Sequence, residues 1–303
     1  LKYTEKLMGD MIALGEPGIK LICNQIIPAG SGDDTRPRFA VESLSRFLSG
    51  KGKEAEKLSW EKICIEYAAG QKDNGVKDFF MKQLQLIGGE ATIGVLKSYL
   101  NDQEMCYPAL AAILASGGKT AETVLAESLK NKELPCAAAV MNALAGMKSQ
   151  IAVNEYIGLA SDLNVNTRAS ALNALAQSAS PLALPVLSKA AKNVLYRWEV
   201  SGATSALLSY AKNIGQNGDL KTMDKICKLV MSKCKDKLTV QNKTEALETY
   251  IGFHGIDAMK EILKAVSNSD KTYRNAALQA SLAIPGKEIV NKWIQYFPKA
   301  LPE

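Results

Sequence analysis

Between Asn74 and Asn193 the chain repeats itself four times at a spacing of about 30 residues. Each unit reads as an Ala/Leu-rich helix, a small-residue turn and a second helix, ending at Asn101-Asp102, Asn131, Asp162 and Asn193. An array of this kind buries its apolar faces against the next repeat and not around a central pocket, so the sequence predicts a stacked helix-pair solenoid and argues against a compact enzyme fold. Leu86, Leu114, Leu144 and Leu175 fall in register in the first helices, with Ala115, Ala145 and Ala176 after the last three. Small residues let the helices of a repeat approach while Leu fills the space between repeats. Gly88-Gly89, Gly117-Gly118 and Gly146 are placed to stop first helices in the left-handed conformation. The second helices carry Val95-Leu96, Val124-Leu125, Tyr156-Ile157 and Val186-Leu187 at matching positions.

The same grammar continues less evenly on both sides. Helices are expected near Tyr3 to Leu14, Gly18 to Ile27, Arg38 to Leu48 and Lys53 to Ala69. A longer unit runs from about Val194 to Lys235, broken at Gly215-Gln216-Asn217-Gly218-Asp219, with Asp219 placed to cap the following helix. Two further pairs are split at Gly252-Phe253-His254-Gly255 and at Pro285-Gly286. This gives about nine helix pairs. Apolar residues do not alternate over strand length, so essentially no sheet is expected. The reading is an all-α fold, a right-handed α-α superhelix forming one domain over residues 1–303, most regular at 74–193.

Arg168-x-x-Ala171-x-x-Ala174-Leu175 and Arg274-x-x-Ala277-x-x-Ala280 resemble the first helix of the short HEAT-like repeat of the PBS-lyase type. Val165, Thr167 and Arg168 match its opening in part, and the units from Asn74 to Asp162 lack the arginine. The resemblance implies a HEAT- or armadillo-like solenoid and says little about function, because such repeats serve as scaffolds in unrelated systems. The stretch from Gly30 to Arg38, with the repeats after it, resembles the helical part of exported bacterial HEAT-repeat proteins. Those often carry a separate concanavalin-like or glycoside-hydrolase-like domain, which is not in this chain. That likeness implies an exported, periplasmic or cell-surface protein.

With 47% hydrophobic against 22% charged residues, the 303-residue chain has enough apolar surface for a continuous seam, and 6% aromatics fit Ala/Leu packing. No apolar run approaches the roughly 18 residues of a membrane span, so the chain is not expected to cross a membrane. Leu1 stands where a native start would have Met, which fits a processed or shortened form of a longer protein without separating the two. The six cysteines, Cys23, Cys64, Cys106, Cys136, Cys227 and Cys234, match no zinc spacing. Two readings stand for them: buried free thiols acting as small hydrophobes, or a disulfide between the repeat-equivalent Cys106 and Cys136.

No catalytic residue, metal site or cofactor site is expected. The net charge of +6 is concentrated in one place: residues 191–243 hold ten basic side chains against four acidic ones, an excess equal to that of the whole chain. Lys221, Lys225, Lys228 and Lys235 are expected to share one face of a helix, opposite Met223, Cys227, Val230 and Cys234. They form either a basic ridge for an anionic partner or the solvated side of an amphipathic helix. Tyr196-Arg197-Trp198-Glu199 brings aromatic, cation and carboxylate together, as a HEAT-like DNA glycosylase would need. Only six arginines are present, however, which disfavours phosphate and guanine reading. Trp198, Trp60 and Trp293 are expected in the core. His254 is read as a turn residue tolerant of unusual backbone angles, and Gly30 to Arg38 as an inter-repeat loop.

The favoured function is a non-enzymatic interaction scaffold. It would dock a protein or a neighbouring domain of the same polypeptide on a concave face lined by second helices, with Arg197, Trp198, Lys221, Lys225, Lys228 and Lys235 as candidate partner-binding residues. The alternative is a nucleic-acid-binding protein of the DNA-glycosylase type that uses the basic unit 191–243.

Overall fold

In the computed structural model, which describes residues 2–297 of the chain, every regular element is helical and no strand occurs among the described residues. Leu1 therefore lies outside the described residues, as do residues 298–303. The chain gathers into two compact units, and the boundary between Leu144 and Ala145 falls in the last turn of one helix.

The first unit contains α1 (Lys2–Ala13), α2 (Gly15–Cys23), α3 (Thr35–Leu48), α4 (Glu54–Gly70), α5 (Asn74–Ile87), α6 (Glu90–Leu96), α7 (Cys106–Ser116), α8 (Gly118–Ser128) and most of α9 (Ala137–Gly146). A 3-10 turn, Lys97–Asn101, extends α6. Helix starts follow local chemistry: the Asp73 carboxylate accepts the Val76 N–H at 2.9 Å, satisfying a donor that has no partner within α5. α3 begins at Thr35, earlier than the expected Arg38. Asp33 there accepts the Thr35 N–H, while Asp34 accepts the Ile27 N–H and the Arg38 guanidinium at 2.8 Å. The loop carboxylates are thus spent on their own backbone and on Arg38.

Repeat-equivalent residues touch at a separation of thirty. Asn131 donates to Asn101, Asn74 to Glu104, Thr120 to Glu90, and the Tyr99 hydroxyl to the Ala69 carbonyl, each across 30 positions. Cys106 and Cys136 obey the same spacing and form a disulfide, with Cα atoms 6.1 Å apart. Of the two readings of the cysteines, the disulfide holds for this pair, and Cys23, Cys64, Cys227 and Cys234 are buried thiols.

The core of this unit is built on Phe80, Leu84, Ile93, Leu96, Ile113 and Leu125, all essentially solvent-free. Leu144 and, in the second unit, Leu175 are likewise buried, but Leu86 and Leu114 are more than a third exposed, against the expected register. Each residue turns the helix by about 100°, so Ile87 and Ile113, one position away, take the inward places. The glycine turns also differ in kind. Gly117 has φ +72°, as a helix stop requires, whereas Gly88 has φ −66°. Gly88 is needed for space: a Cβ there would come within 2.7 Å of Ser116 Oγ. Beyond Gly146 the left-handed residue is Lys148, with φ +53°.

The second unit contains α10 (Val153–Leu159), α11 (Val165–Ser178), α12 (Ala183–Asn193), α13 (Ala203–Gln216), α14 (Leu220–Lys233), α15 (Val240–His254), α16 (Met259–Val266), α17 (Lys271–Leu282) and α18 (Lys287–Tyr296), with a 3-10 turn at Gly255–Ala258. Asn164, Asp219 and Asp270 cap α11, α14 and α17 with side-chain oxygens, as expected for Asp219. The first helices α11, α13, α15 and α17 pack on one another in succession. They run parallel. At one end Asn213 of α13 donates to the Ala176 carbonyl of α11 at 2.9 Å, and Phe253 of α15 fills the space beside Gly215 of α13. At the other end Asn242 of α15 donates to the Tyr196 carbonyl at 2.8 Å, and Lys243 of α15 lies 4.3 Å over the Tyr273 ring of α17. The loops that precede these four helices therefore share one edge of the unit.

Candidate binding surface of the second unit

After α12 and its cap Val194 come two consecutive left-handed residues, Leu195 at φ +55° and Tyr196 at φ +57°. For residues with a Cβ this conformation costs roughly 1–2 kcal/mol each, so the surroundings have to hold it. They do so through Tyr196. Its ring is buried, its N–H donates to the Ala191 carbonyl at 2.9 Å, and its own carbonyl receives Asn242. Glu199 fixes the far side of the loop by accepting the Ala203 N–H together with the Ser201 hydroxyl and N–H. Burial opposes its charge, but these hydrogen bonds prevail and hold the Glu199 carboxyl below the usual carboxylate range.

Between these two anchors the chain turns Trp198 outward, 70% exposed. The expected core role of Trp198 is therefore overturned: the double left-handed turn rotates the segment so that Tyr196, and not Trp198, fills the interior. Leu195 and Val200 flank it and are exposed too. Trp60 is in the core, 1% exposed, with its indole N–H donated to Ser45 Oγ at 2.9 Å. Trp293 is half-buried on α18 and is not the core residue expected.

The six residues singled out from sequence fall into two groups. Arg197, Trp198 and Lys235 come together, because the loop after α14 packs on the loop before α13: Arg197 lies 3.4 Å from Asp236, and the Cys234 thiol faces the Tyr196 carbonyl. Lys221, Lys225 and Lys228 are exposed along α14 itself. Lys235 lies past the end of that helix, whose cap is Cys234, so it does not continue their face. At 1.5 Å per residue, Lys221 stands roughly 18 Å along the axis from Lys233, the last residue of the helix, and Lys235 lies beyond it. The buried side of α14 is as expected, with Met223, Cys227 and Val230 inward.

Lys228 is committed locally. Its ammonium lies 4.9 Å over the Tyr250 ring and 3.4 Å from Asp224, and these contacts, Tyr250 first, hold it above the ordinary lysine range. Asp224 is shared: its other oxygen lies 2.6 Å from His254 Nε2, and the imidazole also packs on Tyr250 with ring centroids 4.4 Å apart. His254 is accordingly the helical last residue of α15, at φ −100°, held by a carboxylate. It is not a turn residue with unusual angles, a role that falls to Gly255 at φ +52°. The signal was in the sequence, since Asp224 and His254 are 30 residues apart, the same period that pairs residues in the first unit.

Nucleophile chemistry has little to work with around this pair. Burial pushes the Cys227 thiol up to about 12 and that of Cys234 to about 11, so neither supplies thiolate near neutral pH. A cleft of about 210 Å³ on the opposite edge, beside Tyr210, Ile214 and Asp219, is smaller than the roughly 300 Å³ from which small-molecule sites begin. Among the described residues no group of His, Cys, Asp or Glu is placed to hold a metal ion, and no helix is long and apolar enough to cross a membrane. Compared with known protein families and with curated proteins, the chain has no match.

Proposed function

We propose that the protein is a non-enzymatic helical-repeat scaffold, a right-handed α-α superhelix of the HEAT-like kind, which docks an acidic protein or domain along the second helices of its second unit. The supporting observation is the asymmetry of that unit. Its first helices are consumed in packing on one another, whereas α14 between them presents Lys221 and Lys225 to solvent. Neither lysine forms an ion pair among the described residues. A helix row with fixed spacing and free cations suits a partner that brings carboxylates in register, and positive potential of this kind steers association more than it tightens it. The six arginines weigh against a nucleic-acid reader, because lysine lacks the bidentate fork that phosphate and guanine favour.

The test compares proteins retained by the wild-type chain with those retained by a Lys221→Glu/Lys225→Glu variant. The reading expects acidic proteins held by the first and released by the second. An identical retained set for both variants, or turnover of a substrate by the chain alone, would falsify it.

A further inference from the structure

The edge shared by the loops before α11, α13 and α15 has a chemistry that the scaffold reading leaves unused. Five apolar side chains project from it: Leu163 at 99% exposure, Leu195, Trp198 and Val200 from the strained loop, and Leu238 at 65%. Burying even part of this surface is favourable at about 25 cal/mol per Å², yet the described structure covers none of these tips. Their mounting is stiff. Asn164 caps α11 immediately behind Leu163, Tyr196 and Glu199 clamp the Trp198 loop, and the Asp236 carboxylate accepts the Leu238 N–H at 3.0 Å.

Charge on the edge is sorted. Its carboxylates are engaged by neighbouring donors: Asp162 accepts the Asn164 N–H, Glu199 caps α13, and Asp236 accepts from Thr239 and Leu238 and pairs with Arg197. Lys235 and Lys237, on the same loop as Leu238, are exposed and form no ion pair among the described residues. The result is a row of apolar tips beside exposed ammonium groups from the stretch 191–243, where ten basic side chains stand against four acidic ones.

We infer that this edge seats the protein peripherally on an anionic lipid membrane, with Trp198 and the leucines entering the headgroup boundary and Lys235 and Lys237 meeting lipid phosphates and carboxylates. The pairing of chemistries decides the occupant: a tryptophan and leucines mounted at the same edge as exposed lysines match an anionic bilayer, whose headgroup boundary takes apolar side chains while its phosphates and carboxylates meet ammonium groups. Tryptophan suits the water-lipid boundary, with a large apolar ring and one N–H donor. Nucleic acid would call for arginine, and Arg197, the arginine of the Trp198 loop, is held by Asp236.

Co-sedimentation of the full chain with vesicles of phosphatidylcholine alone, and of phosphatidylcholine with phosphatidylserine, tests the inference. Binding is expected only with phosphatidylserine, weakened by salt and accompanied by a shift of tryptophan emission to shorter wavelength. Lys235→Ala with Lys237→Ala is expected to lower the partition coefficient roughly thirtyfold, about fivefold per charge. Trp198→Ser is expected to lower it on the order of tenfold and to abolish the emission shift. These side chains are exposed, so folding is untouched, as circular dichroism of each variant checks. Lys221→Ala with Lys225→Ala serves as the control and leaves vesicle binding unchanged, which keeps a failure here separate from a failure of the scaffold reading. Three results overturn the inference: no sedimentation with either vesicle, sedimentation that survives both loop variants, or binding of polyglutamate or duplex DNA by this edge with none to vesicles.

Discussion

The two units use the same helix hairpin and close it differently. In the first, side chains one repeat apart bond directly, through Asn101–Asn131, Glu90–Thr120 and the Cys106–Cys136 disulfide. In the second, the connections before α13 and α15 carry their own internal order, with strained backbone, local caps and side chains left over for solvent. A connection whose polar groups bond one repeat away is held by its neighbour. One that closes on its own caps can turn residues outward, and the exposed tryptophan and the exposed lysines Lys235 and Lys237 stand on such connections.

Reducing the Cys106–Cys136 bond should produce the largest change. A closed loop of 30 residues constrains the unfolded chain by about 3.6 kcal/mol, so thermal unfolding with and without reductant should differ clearly. Hydrogen exchange should place the loss in the first unit; equal loss of protection in both would break the contrast. Next comes Glu61→Ala, about 2–3 kcal/mol by chemical denaturation. The buried Glu61 carboxylate accepts the Gly89 N–H at 2.7 Å along with the Thr92 N–H and hydroxyl, and its removal leaves those donors orphaned at the start of α6.

In the second unit Asn242→Ala should cost roughly 1–2 kcal/mol by removing the donor that holds the Tyr196 carbonyl, and its sharper readout is mobility of the Trp198 loop in hydrogen exchange. The smallest effect concerns Glu245, where burial and then Glu248 raise the carboxyl above its ordinary value. A folded-state value above the unfolded one means that the native state binds the proton more tightly, so stability falls as pH rises from the ordinary glutamate range through the folded value. Glu245→Gln should therefore be more stable than wild type at neutral pH, and the difference should vanish in acid. A difference that persists below the ordinary carboxylate range would sink the burial argument.

The helices were readable because apolar period and capping residues are local: Asp219 announces α14, and Gly117 stops α7. The core register was only partly readable. Leu86 and Leu114 were aligned by residue type, and a slip of one position turns a side chain out of the core. The exposure of Trp198 is not legible in sequence because it depends on left-handed Leu195 and Tyr196, and neither is a glycine that would flag the turn. The environment of His254 is hidden for a different reason. Its partner lies a full repeat away, and the spacing of Asp224 and His254 acquires meaning only once the period of thirty is read as a contact distance.

The disulfide of the first unit also has a mechanical consequence. A folded chain pulled from its ends lengthens as its elements come apart, and each released residue adds about 3.5 Å of contour. Cys106 and Cys136 are bonded across one repeat, so the 29 residues between them cannot pay out under load. An oxidised molecule held in a force clamp would stop about 100 Å short of its full extension, and it would recover that length in one step when a reductant cuts the bond.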